Sequence, residues 1–138
     1  MITDDLLKRI QRANFETLCE VKRVCQIYGI KFYLHGGTLL GAIRHNGTIP
    51  WDDDVDICMK RQDYEHFLEV FPTTSIDGFE LVKCDDDGKF FDFIPKVVNN
   101  NMTYKTHYGY DEFYNYRYSH PCIDIFILRN SSIMANST

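Results

Sequence analysis

The run WDDDVDICM, residues 51–59, constrains this chain more than any other stretch. Asp52, Asp53, Asp54 and Asp56 lead directly into the apolar Val55, Ile57 and Met59, so an acidic cluster sits at the mouth of a β-strand. Side chains alternate faces along a strand, which places Asp54 and Asp56 on one face and Val55 and Ile57 on the other. Carboxylates two residues apart on one face lie roughly 6.5–7 Å apart at the backbone, within reach of one small hard cation. Like charges this dense repel, and either proton uptake or a bound cation relieves them. An oxygen-only site with few protein ligands suits Mg²⁺, or Mn²⁺, and leaves positions for waters and substrate phosphates. The competing reading is a solvated acidic turn, because acidic runs are common in loops.

The segment before this cluster reads as helix, strand, glycine turn and short helix. Thr3 is placed to cap a helix running to about Tyr28, with Leu7, Ile10, Phe15, Leu18, Val21, Val24, Cys25 and Tyr28 near a helical period and Gly29 ending it. Residues 31–35 form a short strand that stops at Gly36-Gly37, and Thr38 opens the next apolar run. A glycine pair there lets backbone N–H groups approach a phosphate, and the N-terminus of the following helix adds favourable partial charge. Gly36, Gly37 and Thr38 are therefore candidate phosphate-binding positions, against the plainer reading that the glycines only turn the chain. Arg44 follows that helix, and its planar fork of donors suits either phosphate oxygens or the charge of the acidic cluster.

Beyond the cluster, residues 61–71 carry Tyr64, Phe67, Leu68 and Phe71 on one helical face, and Pro72 is expected to end this covering helix. Residues 79–83 and 90–98 read as two strands joined by the solvated turn Asp85-Asp86-Asp87-Gly88. Lys96, among Ile94, Val97 and Val98, is either an edge lysine that snorkels to solvent or a group that reaches a phosphate opposite the acidic site. The tyrosine-dense stretch 104–118 forms an irregular loop that is either pinned by its own rings or shaped to enclose a cation such as choline. CIDIFIL, residues 122–128, reads as a central strand with one carboxylate in it. An unpaired charge in such a run is costly, so Asp124 requires a cation or strong donors and becomes the third acidic candidate. Residues 130–138 read as a frayed tail.

A chain of 138 residues with 44% hydrophobic content suits a single domain with its own core. The net charge of −5, with scattered Lys and Arg, argues against a nucleic-acid surface. Five cysteines without a CxxC pair indicate reduced core thiols rather than a disulfide framework or zinc site. With neither a signal-peptide pattern nor an apolar run of membrane-spanning length, the expected location is cytoplasmic.

Taken together, HGGTLLGAIRHNGTIPWDDDVDI, the segment PKVVNNNMT and the later IDIF resemble the signature of the LicD family of phosphotransferases, related to the fukutin proteins and to the wider nucleotidyltransferase-fold superfamily. The resemblance extends from about Phe15 to Leu128. It implies an α/β (α+β) fold with a nucleotidyltransferase-like mixed β-sheet flanked by helices. It also implies Gly36 and Gly37 in a nucleotide turn, Asp54 and Asp56 as a metal pair, Asp124 as the third carboxylate and Asp52 as a further acidic position. The implied activity is transfer of phosphocholine or a similar phospho-alcohol from a CDP-linked donor to a glycan hydroxyl, and the reading of the residues adds Arg44 and Lys96 on the donor phosphates. Two alternatives stand beside it: transfer of NMP from an NTP, and a non-catalytic module that retains metal or nucleotide. Family members are usually longer, with a C-terminal portion that has no counterpart after Leu128, which leads to the expectation that the chain is either a fragment or a minimal form.

Overall fold

The apolar stripe of the first helix decides which face of the sheet is covered. A computed structural model describes residues 4–36, 55–83, 94–103 and 120–128. Helix α1 spans Asp4–Tyr28, with Asp4 and Asp5 in the first turn, where carboxylates offset the partial positive charge of a helix N-terminus. Its buried side is made by Ile10, Ala13, Asn14, Thr17, Glu20, Val21, Val24 and Cys25, spaced three and four apart. Phe15, expected on this face, is instead 64% exposed. It stands about 200° round the helix from Ala13, and the polar Asn14 and Thr17 take the inward positions. Gly29 closes the helix in the left-handed region (φ 67°), and the Ile30 N–H donates to the Cys25 carbonyl at 2.9 Å. That six-to-one bond is a Schellman cap, with Ile30 and Cys25 both in the core cluster.

Five strands follow: β1 (Tyr33–Leu34), β2 (Val55–Met59), β3 (Phe79–Val82), β4 (Lys96–Asn99) and β5 (Cys122–Ile127). They form one sheet in the order β1-β2-β5-β4-β3, with β2 and β5 parallel and every other neighbouring pair antiparallel. The result is a mixed α/β fold, as expected. Helix α2 (Arg61–Thr74) fills the connection after β2. Its Phe67 and Phe71 are fully buried and join Val21, Val24 and Cys25 of α1 over Val55, Ile57, Met59, Val97, Ile123 and Ile125. By strand alternation these sheet residues all point to one face, so both helices lie there.

Three expectations need correction. Pro72 lies inside α2, which continues to Thr74 before the Ser75 N–H bonds the Phe71 carbonyl at 2.9 Å. A proline deletes only its own donor bond and crowds the carbonyl four residues back, so in the last turn the residues after it can remain helical. The strand expected over residues 90–98 is, within the described residues, Lys96–Asn99. Pro95 has no N–H to give a ladder, and its carbonyl instead accepts from Ile125 N at 3.0 Å. Lys96 does not snorkel from an edge: β4 lies between β5 and β3, and the residue is 6% exposed.

Of the cysteines, Cys19, Cys25, Cys58 and Cys122 are free thiols, and Cys19 is exposed rather than in the core. Burial pushes the Cys25 thiol up to about 12 and raises that of Cys58, which leaves both unreactive near neutrality. Among the described residues no helix is long and apolar enough to cross a membrane.

One buried amide ties α1 to strand β4. Asn99, fully buried, donates from Nδ2 to the Ala13 carbonyl at 3.2 Å and accepts the Asn101 N–H at 2.9 Å. The Ala13 carbonyl also accepts from Thr17 Oγ1 at 2.7 Å. Asn99→Ala is therefore expected to cost about 1–3 kcal/mol, the scale of one buried and one half-buried hydrogen bond and one stranded group. Urea unfolding of the variant at neutral pH measures this.

Candidate active site

The face of the sheet opposite the helices carries the charged residues of the described strands. In β2, Val55, Ile57 and Met59 enter the core, which turns Asp56 and Cys58 the other way. In β5, Ile123 and Ile125 enter the core, which turns Cys122, Asp124 and Phe126 the other way. The parallel register places Asp56 directly beside Asp124. The antiparallel register of β4 places Lys96 on the other side of Asp124. Beyond Leu34 the β1–β2 ladder continues with the His35 N–H donating to the Asp56 carbonyl at 3.0 Å. His35, Asp56, Asp124 and Lys96 thus form a transverse row across four neighbouring chain segments.

Asp124 is where the sequence predicted a charge in need of a partner, and that partner is Lys96. Lys96 Nζ lies 2.6 Å from Asp124 Oδ1, with the lysine side chain 7% and the aspartate 27% exposed. The pair is short and charge-assisted, and the aspartate is its more exposed end. At the other end of the row the His35 ring lies tilted against Phe126, centroids 4.9 Å apart. Gly36 adopts φ 58°, the left-handed region that strains other residues, and a Cβ there would stand 3.8 Å from Asp56 Oδ2. Gly36 therefore lies immediately beside the Asp56 carboxylate.

Of the residues expected at the site, Gly36, Asp56, Lys96 and Asp124 are described and lie together on this face. Gly37, Thr38, Arg44, Asp52 and Asp54 lie outside the described residues, as do the turn at 85–88, the tyrosine-rich stretch 104–118 and the tail 130–138. Among the described residues no three His, Cys, Asp or Glu side chains gather closely enough to hold a metal ion. The donor chemistry nevertheless fits a hard divalent cation. Neighbouring strands are about 4.8 Å apart, so two in-register carboxylates on one face can share one ion. His35 was not singled out from the sequence. Its place in the row follows from the pairing of β1 with β2, a long-range register with no local signal in a two-residue strand.

A mixed sheet with helices on one face and a lysine-backed carboxylate pair on the other defines an α/β domain that presents acidic groups from adjacent strands. The chain belongs to the LicD family: the family model described as "LicD/FKTN/FKRP, nucleotidyltransferase domain" matches residues 29–138. It is similar to the lipopolysaccharide cholinephosphotransferase LicD of Haemophilus influenzae, with 43% identity over 63 residues, 46% of this chain and 24% of that protein. It is also similar to the human ribitol 5-phosphate transferase FKRP, with 46% identity over 52 residues, 38% of this chain and 10% of that protein. An uncharacterised protein of Rickettsia prowazekii matches at 49% over 52 residues, 38% of this chain and 20% of that protein. The chain thus spans less than a quarter of the length of each of these relatives.

Proposed function

We propose that this chain carries the catalytic face of a metal-dependent phosphotransferase that moves phosphocholine, or a similar phospho-alcohol, from a CDP-linked donor to a glycan hydroxyl. The observation that carries the proposal is the in-register pair Asp56–Asp124 with Lys96 at 2.6 Å. Support for the substrate class comes from family membership and from relatives named as cholinephosphotransferase and ribitol 5-phosphate transferase.

Asp54, Asp56 and Asp124, with Asp52 as a further acidic position, would hold Mg²⁺ or Mn²⁺. When bound, such an ion neutralises diphosphate charge and acts as a Lewis acid on the phosphoryl oxygens. The chain's own groups do the rest. Backbone N–H groups at Gly36, Gly37 and Thr38 approach the donor diphosphate, and the cations of Arg44 and Lys96 hold its oxygens. The acceptor hydroxyl oxygen attacks the phosphorus that bears the alcohol. A new phosphorus–oxygen bond forms, the bond from that phosphorus to the bridging oxygen breaks, CMP leaves with the bridging oxygen, and one of the carboxylates takes the hydroxyl proton. Positioning and electrostatic stabilisation supply most of the acceleration in such a transfer.

Incubation of the protein with CDP-choline, CDP-ribitol and the four NTPs separately, with products resolved by ion exchange, is expected to give CMP from a CDP-alcohol. Pyrophosphate from an NTP with no CMP from either CDP donor would overturn the proposal in favour of nucleotidyl transfer. No product, despite measurable nucleotide affinity, would assign a binding module. Replacing Arg44 or Lys96 by Met is expected to weaken CDP binding by roughly 1.5–3 kcal/mol, the scale of a charge-assisted hydrogen bond. Calorimetric titration with CDP in the presence of Mg²⁺ reads this directly.

A further inference from the structure

The short Lys96–Asp124 bond raises a conflict that the proposed chemistry must resolve. Asp124 Oδ1 is already engaged by an ammonium at 2.6 Å. A divalent cation brought to Asp56 and Asp124 would then lie within a few ångströms of Lys96 Nζ, because adjacent strands are only about 4.8 Å apart and all three residues stand in one row. Two cations that close, with the lysine side chain 7% exposed, repel strongly. The ammonium cannot escape by snorkelling, since β4 is an interior strand of the sheet. It can move only within reach of its stem, along the same face, where an anion arriving with the metal gives it a new partner.

We infer that Lys96 is an exchangeable counter-cation: it neutralises Asp124 in the unliganded protein and transfers to a donor phosphate oxygen when the divalent ion takes its place. The inference rests on the functional reading above, and it adds an order of binding to it. Metal alone meets a carboxylate already paired with a cation and binds weakly. Metal and diphosphate together satisfy every charge in the row, because the diphosphate takes over the ammonium that the metal displaces. The two ligands are therefore positively coupled through Lys96, and by linkage each raises the affinity of the other equally. The protein would thus take up its donor as a metal complex rather than loading the ion first.

The test is calorimetric titration of Mn²⁺ and of Mg²⁺ into the whole chain, with and without CDP. Wild type is expected to bind metal alone weakly and metal with CDP at least roughly tenfold more tightly, the factor that one nearby like charge supports. Lys96→Met removes the competing cation. Its affinity for metal alone is expected to rise roughly tenfold, and its gain on adding CDP to shrink correspondingly. Lys96→Arg keeps a cation beside Asp124 and is expected to bind metal alone as weakly as wild type. If Lys96→Met is poorly stable, the same comparison is made from the rise in melting temperature on adding Mn²⁺ alone, which tracks affinity by mass action. Lys96→Met binding metal alone no more tightly than wild type, with wild type still binding metal and CDP together, would overturn the exchange and leave the metal site standing. Wild type binding no metal with or without CDP would overturn both.

Discussion

Asp56→Asn is expected to abolish metal-dependent CMP release, lowering it by at least roughly 10²–10³-fold, the loss that follows from removing one preorganised electrostatic group around a transferring phosphoryl centre. Asp124→Asn is expected to do the same, yet the two variants should separate in stability. Asp56 stands among acidic neighbours in sequence, and relieving that repulsion in the double variant Asp54→Asn, Asp56→Asn should leave the metal-free protein no less stable. Asp124 instead accepts the Lys96 ammonium at 2.6 Å. Its loss leaves a buried cation facing a neutral amide, at about 1–3 kcal/mol once the 27% exposure of the aspartate is allowed for. Product assays paired with urea unfolding in EDTA test both halves. Equal Mn²⁺ binding by wild type and the Asp54/Asp56 double variant would remove the metal site, and a large stability loss in that double variant would make those aspartates structural.

The second large effect concerns a contact far from that row. The Glu20 carboxylate accepts Arg23 Nε at 2.7 Å, Arg23 Nη2 at 2.8 Å and the Ile76 N–H at 2.8 Å, while Arg23 Nη2 also donates to the Thr74 carbonyl at 3.0 Å. These bonds latch the end of α2 and the chain leaving it onto α1. The Arg23 hydrogen bonds, helped by the Ile76 N–H and the guanidinium charge, hold the Glu20 carboxyl below the usual glutamate range against the opposing effect of burial. A carboxyl whose folded pKa lies below its unfolded value stabilises the fold fully above the unfolded value, and that contribution is lost as pH falls through the folded value. Glu20→Gln is therefore expected to cost about 2–3 kcal/mol at pH 7, with the difference from wild type shrinking well below pH 4. Urea midpoints for both proteins at pH 7 and in acid measure this. A constant difference across that range would show that the carboxylate charge is not what holds α2.

The residues that were legible in the sequence are those whose surroundings are local. Alternation within VDICM put Asp56 opposite Val55 and Ile57, and the sheet keeps it there. The cost of a lone charge in CIDIF required a cation for Asp124, without saying which, because Lys96 reaches it through an antiparallel register between residues 28 positions apart. The same limit hid His35. Asn99 sits among three asparagines and looks like a turn residue until the Ala13 carbonyl, 86 positions away, is found against its amide. Periodicity also misassigned Phe15, because hydrophobicity alone does not reveal that Asn14 and Thr17 are buried, with Thr17 Oγ1 bonded to the Ala13 carbonyl. Glu20 and Arg23 form an i,i+3 pair that nothing local in the sequence marks off from a solvated helix pair such as Arg12–Glu16 at i,i+4, whose side chains are both largely exposed.

The helix before Gly29 bears on where this domain can be cut. The family match begins at Gly29, whereas Ile10, Val21, Val24 and Cys25, all at most 2% exposed, lie upstream in α1. Each aliphatic side chain buried this fully is worth about 1.5–3 kcal/mol, so deleting the helix removes a sizeable part of the 5–15 kcal/mol that a typical domain has in total. It would also bare the apolar face formed by Val97, Ile123 and Ile125 to water. A fragment begun at the boundary of the sequence match would keep every carboxylate of the row and still be expected to aggregate, so the segment outside the family match is the one that expression of a folded domain must retain.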